Sequence, residues 1–172
     1  YDQAYSYGTN LHIYVPYMRL ADVYLMYAES AMMASNSATG KADNYGKTAV
    51  DAINVIRDRA GVGHVDSKFL SSAAALLPEL RRERAVELAF EGHRFNDLRR
   101  WLLLTEEPYT LKKAVSFDRA GTFNNENPSQ NRVVNIKEDV LLERKFTSKH
   151  YWLPLKVRDV NMYPEFYQNP GW

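Results

Sequence analysis

The sequence predicts a mainly α fold in which helix pairs pack on a central helix, with a long irregular loop region and little strand. Three observations carry this. The stretch from Glu79 to Trp101 (ELRRERAVELAFEGHRFNDLRRW) sets apolar residues on more than one side of a helix and charges at nearly every other position, so it must be packed on several faces. Two shorter runs, 16–34 and 48–60, carry helical periodicity. Strand signals are confined to LHIYV near the start and to Val133–Ile136.

The central helix comes first because its charges decide how it packs. Burial on several faces desolvates Arg84, Glu87, Glu91, Arg94 and Asp97, and a buried ion is tolerated only when paired and hydrogen-bonded. Three-residue spacings offer partners on the same helix: Arg84 to Glu87, Glu91 to Arg94, and Asp97 to Arg94 or Arg100. These five residues form a structural signature, with a break in the helix expected near Gly92. The four-residue pairs Glu83/Glu87 and Glu87/Glu91 do not make a glycosidase. That chemistry needs one protonated and one ionised carboxyl on opposite sides of a bond in a cleft, whereas these share one face with an arginine in reach of each. No catalytic residue is assigned. His93 and Asp97 have helical metal-ligand spacing but lack a third ligand, so no metal is assigned either.

The chain of 172 residues reads as a single domain, 1–172, with a helical core over about 16–104, a loop-rich part over 105–148 and a packed tail over 149–172. That length buries a core without a cofactor or disulfide. A formal net charge of +1, with arginines interleaved among acids, gives no nucleic-acid footprint and no polybasic membrane patch. The absence of cysteine removes thiol catalysis and cysteine zinc sites. No apolar run approaches membrane-spanning length. The sequence starts at Tyr1 without an initiator methionine, signal peptide or lipid-attachment cysteine, and reads as a piece of a longer protein whose targeting information lies upstream.

From the start of the chain, Tyr5 and Tyr7 sit in a tyrosine-rich loop, where a ring can stack on a sugar face. Pro16 suits a helix start, and Leu20, Val23 or Tyr24, Tyr27 and Ala31 form the stripe behind it, with alanines 21, 28, 31 and 34 allowing close approach of another helix. After a polar loop, Ala49, Ala52, Ile53, Ile56 and Ala60 share one face, and Gly61 supplies the stop. The resulting antiparallel hairpin has the alternation of alanines and large apolar residues typical of a tetratricopeptide unit, with a longer loop. It needs further helices to cover it. Ser71 or Ser72 caps a short lead-in turn, and the main helix is expected to start at about Pro78, since proline deep in a helix removes a hydrogen bond and clashes with the preceding turn.

Residues 105–148 turn to Pro, Asn, Thr and Ser and read as loop. Within them Phe123, Asn124 and Asn125 are candidate sugar contacts, the ring by stacking and the amides by hydrogen bonds to hydroxyls. The tail carries Tyr151, Trp152, Tyr163, Phe166, Tyr167 and Trp172, a density of rings that calls for packing onto the helices, with Trp152 as its buried anchor.

Four blocks, RLADVYLMYAESA, AVDAINVIRDRAG, ELRRERAVELAFEGHRFNDLRRW and YWLPLKVRDVNMYPEFYQNPGW, resemble the successive C-terminal blocks of the SusD/RagB family, in that family's order. One departure is visible at Leu153–Lys156, where the family has a Pro-Ile-Pro-like turn. The resemblance implies the C-terminal portion of a surface-exposed outer-membrane lipoprotein, anchored through an N-terminal cysteine absent from this chain. Such a protein binds an oligosaccharide or other nutrient, without being an enzyme, and passes it to a TonB-dependent transporter of the SusC type. It also implies that Arg84, Glu87, Glu91, Arg94 and Asp97 are scaffold and that the aromatic platform for a glycan lies mainly upstream of the matched blocks; Tyr5, Tyr7 and Phe123 are the ligand-binding candidates on the chemistry of their rings alone. The alternative reading is a helical-repeat scaffold that binds another protein and no glycan.

Overall fold

A computed structural model of the protein describes residues 17–172. Tyr5, Tyr7, Pro16 and the LHIYV run lie outside these residues. The chain forms two compact units, one ending at Glu91 and one beginning at Gly92.

The first unit contains α1 (Leu20–Ser35), α2 (Ala49–Ala60) and α3 (Ala73–Glu87), with α1 packed against both of the others. The expected helix pair is present. Asn36 ends α1 in the left-handed conformation, and Gly61 does the same for α2 at φ 68°. Thr48 starts α2 with a reciprocal cap: its hydroxyl accepts from the Asp51 amide at 3.2 Å, and its own amide donates to the Asp51 carboxylate at 2.9 Å. The start of α2 is tied to the residues just past α1, with the Ala49 amide donating to the Gly40 carbonyl at 2.7 Å. Tyr27 closes the connecting loop by donating to the Lys47 carbonyl at 2.6 Å and accepting from the Ala42 amide at 3.1 Å.

The buried stripe of α1 is turned by one residue from the expected one. Leu25, Ala28 and Met32 are fully enclosed, together with Ile53, Leu76 and Leu80 from α2 and α3, while Leu20 and Val23 are exposed. Asp22 is buried along with these residues and pairs there with Arg84 of α3. The start of α3 also differs from expectation. The helix begins at Ala73, capped by the Ser72 hydroxyl, which accepts from the Ala75 amide at 3.1 Å. Pro78 lies inside the helix with its ring exposed. The Ala73–Leu77 run, built of strong helix formers, and the serine cap outweigh the one backbone bond that proline removes.

The second unit contains α4 (His93–Arg100), β1 (Leu111–Arg119), β2 (Val133–Glu143) and a single helical turn, α5 (Val157–Val160). The break expected near Gly92 is present, because Gly92 takes φ 81° as the N-cap of α4. Where the composition reads as loop, β1 and β2 form an antiparallel pair running from Leu111↔Glu143 to Arg119↔Val133. The expected run at Val133–Ile136 is only the first third of β2. Register shifts at Lys112/Lys113 and Ser116/Asp118 break the two-residue period, and both strands are exposed along almost their whole length, so no buried face imprints a regular alternation.

The tail is held by hydrogen bonds more than by burial. Trp152, expected as a buried anchor, is 60% exposed. Its carbonyl accepts from the Trp172 indole at 2.9 Å, as does the Lys149 carbonyl at 3.0 Å. Gln168 brackets Leu155, donating to its carbonyl at 2.9 Å and accepting from its amide at 2.7 Å, and Asn169 donates to the Leu153 carbonyl at 2.5 Å. The QNPGW ending is thus a clasp on the 149–155 segment. Gly171, at φ 86°, has no room for a side chain, since a Cβ there would lie 2.9 Å from the Lys149 Cβ. Arg99 of α4 joins this clasp by donating to the Tyr151 carbonyl at 2.7 and 3.1 Å.

Candidate functional site

Three of the signature residues, Arg84, Glu87 and Glu91, take partners distant in sequence. Arg84 reaches Asp22 at 2.5 Å, with both side chains 6% exposed. Glu87 takes Arg19 and Arg59, each at 2.5 Å, where a same-helix pair with Arg84 was expected. Glu91 takes Arg19 at 2.7 Å. The pair of Asp97 with Arg100 lies within one helix, as expected, at 3.0 Å. Arg94 and Glu91 are exposed, against expectation, and the Arg94 guanidinium lies 5.4 Å from the Tyr109 ring centroid. Sequence spacing missed two buried acids, Glu79 and Glu83, which share Arg57 at 3.1 and 2.8 Å.

Two carboxyls of this network, Glu79 and Glu87, are lowered by their arginines. Arg82, hydrogen-bonded to Glu79, holds that carboxyl below the ordinary glutamate range. Burial acts to raise Glu87, but hydrogen bonds from Arg59 and Arg19 outweigh it and leave it lowered. Carboxyls so saturated by arginine are poor proton donors at neutral pH. They support structure.

The candidate site lies elsewhere, in a hollow at the tip of the β1–β2 hairpin. Phe117, Arg119, Phe123, Asn124, Gln130 and Arg132 are among the residues around a hollow of about 430 Å³, within the usual size range of small-ligand sites. Phe117 sits unpaired at the register shift between Ser116 and Asp118, opposite the stretch where β2 carries the extra residue, and is 55% exposed. Phe123 is 49% exposed on the connecting loop. A second hollow, about 380 Å³, is lined by Phe117, Asp118, Asn135 and Lys137, with Asp118 accepting from the Asn135 side chain at 2.9 Å.

The loop is shaped by its own amides. The Asn124 side-chain oxygen accepts from the Glu126 and Asn127 amides at 3.0 and 2.9 Å, and its nitrogen donates to Gln130 at 3.2 Å. Asn131 clamps the Asn124 backbone through its oxygen and nitrogen, at 2.9 and 3.1 Å. Asn124, a candidate sugar contact by sequence, therefore builds the loop that presents Phe123. Phe117, Arg119 and Arg132 were not singled out by sequence, because the strand bringing them to Phe123 was itself hidden.

Among the described residues no group of three or more His, Cys, Asp or Glu side chains is placed to hold a metal, and no helix is long and apolar enough to cross a membrane.

Similarity to known proteins agrees with this fold. A model of the SusD family matches residues 1–172. A solved SusD-like protein from Bacteroides fragilis NCTC 9343 superposes with a TM-score of 0.65 at 26% identity, over 90% of this chain and 25% of that one. The solved protein BT4246 shares the fold with a TM-score of 0.58 at 23% identity, over 91% of this chain and 23% of its own. The chain thus spans about a quarter of the length of these structures. No curated protein matches it. The chain belongs to the SusD family.

Proposed function

We infer that this chain is the mostly helical C-terminal part of a surface lipoprotein that captures glycans or other nutrients at the outer membrane and passes them to a TonB-dependent transporter of the SusC type. It acts by binding and performs no catalysis. The observation that carries the reading is the family match across residues 1–172. The arginine-saturated carboxylates suit a scaffold, and the two exposed rings at the hairpin tip suit stacking on a pyranose face. Phe123 is the proposed contact among the described residues, and Tyr5 and Tyr7 are the others.

Affinity electrophoresis through gels containing plant, host and microbial polysaccharides tests this, run on the full-length protein and on this chain. Retardation of the full-length protein is the expected result. Retardation of this chain as well assigns a share of the contact to the hairpin tip or to Tyr5 and Tyr7. A full-length protein retarded by no polysaccharide overturns glycan capture.

One observation favours a protein-binding scaffold as a second reading. Leu20, Val23, Met26 and Met33 leave an exposed apolar face on α1, a surface of the kind protein partners cover. Charge introduced there, as in Met26→Glu, would weaken binding to such a partner and leave polysaccharide retardation intact.

A further inference from the structure

We propose that the hairpin-tip hollow takes an anionic glycan, recognised through a carboxylate or sulfate group on the sugar. This rests on the glycan-binding reading above and adds the chemical class. Two arginines, Arg119 and Arg132, line the hollow, and among the described residues no aspartate or glutamate does. Arg119 makes no hydrogen bond or ion pair among the described residues, so its planar fork is available to a ligand. Arg132 is fixed by one terminal nitrogen, which donates to the Ser129 and Asn131 carbonyls at 2.6 and 2.9 Å, leaving the other edge of its guanidinium unused.

The acids adjacent in sequence stay outside the lining. Asp118 lies in the second hollow and holds Asn135, and Glu126 is not part of the lining. Two cations facing one hollow without a counter-charge repel each other, and an anion between them removes that repulsion. A guanidinium fork matches a carboxylate or a sulfate through paired hydrogen bonds. Phe117 and Phe123 supply the rings for the sugar plane, so the hollow combines a stacking surface with two cationic forks.

The test is titration calorimetry at low salt with the full-length protein. The probes are an oligogalacturonide and its carboxyl-reduced form, and a sulfated carrageenan oligosaccharide and its desulfated form. The expected result is affinity for at least one anionic probe, at least roughly ten-fold above its neutral counterpart, from charge-assisted hydrogen bonds. The probe that shows the difference distinguishes a carboxylate from a sulfate. Arg119→Gln removes that discrimination, Arg119→Lys restores only part of it, and added salt weakens it. Arg119 is exposed, so the melting temperature stays unchanged and the loss reads on binding. Equal binding of charged and neutral probes, lowered by Phe123→Ala, keeps the glycan site and overturns the anionic class. Discrimination that survives Arg119→Gln, or the absence of binding to all four probes, also overturns it.

Discussion

The helical unit and the β-hairpin handle charge and apolar surface in opposite ways. In the helices the buried acids Asp22, Glu79 and Glu83 each meet an arginine from another helix, Arg84 for Asp22 and Arg57 for Glu79 and Glu83. In the hairpin, Val115, Phe117, Ile136, Val140 and Leu142 face solvent, and Arg119 is left without a partner among the described residues. Saturated, buried polar groups fix one arrangement of packed helices. Exposed rings and an unused cation are groups still available for contact. The difference separates a part built for stability from a part built to meet something else.

The largest expected effect comes from breaking the buried pair. Arg84→Ala strands the Asp22 carboxylate in the core and lowers unfolding free energy by about 3–5 kcal/mol, read from urea denaturation. Leu80→Ala, which opens a cavity at a fully buried position, costs about 2–5 kcal/mol by the same measurement. Equal stability of either variant and the parent would show that the helical unit is not the rigid partner in the comparison.

Glu87 and Glu91 sharpen it further. Their side chains are 10% and 33% exposed, so Glu87→Ala, which removes the carboxylate shared by Arg59 and Arg19 and leaves Arg19 only Glu91, lowers the melting temperature clearly more than Glu91→Ala, whose more exposed pair with Arg19 is worth under about 1 kcal/mol. An equal loss from both would contradict the burial difference. Acid acts through the same network. Glu79 and Glu87 are held below the ordinary glutamate range. Their stabilisation is therefore fully present above the unfolded value of about 4.3 and is lost as pH falls through their lowered folded values. The melting temperature should fall over that acid window, and less steeply in Glu79→Gln. The smallest effect belongs to the hairpin: Ile136→Thr, at an exposed strand position, changes stability by no more than about 0.5 kcal/mol.

The sequence made the helices readable for physical reasons. Local rules placed Gly61 as the stop of α2 and the break at Gly92, because a positive φ is a local demand that glycine meets. Long-range pairing was not readable. Three-residue spacing suggested Arg84 with Glu87, yet α1 and α2 bring Asp22, Arg19 and Arg59 to these residues from 62, 68 and 28 positions away. Pro78 misled as a helix start because its cost is one backbone bond, which the Ser72 cap and good helix formers offset. The hairpin was hidden by its bulges and by exposure on both faces, and with it the neighbours of Phe123. Trp152 misled because a ring beside proline and leucine suggests burial, whereas this segment is held by hydrogen bonds from the side chains of Gln168, Asn169 and Trp172 to its backbone carbonyls.

The most direct test of the central claim, a saturated helical support and a hairpin tip that makes contact, is polysaccharide retardation and melting temperature measured together on the full-length Phe117→Ala/Phe123→Ala protein. The account predicts weakened retardation with an unchanged melt. Retardation equal to that of the parent would show that the tip is not where the glycan is held.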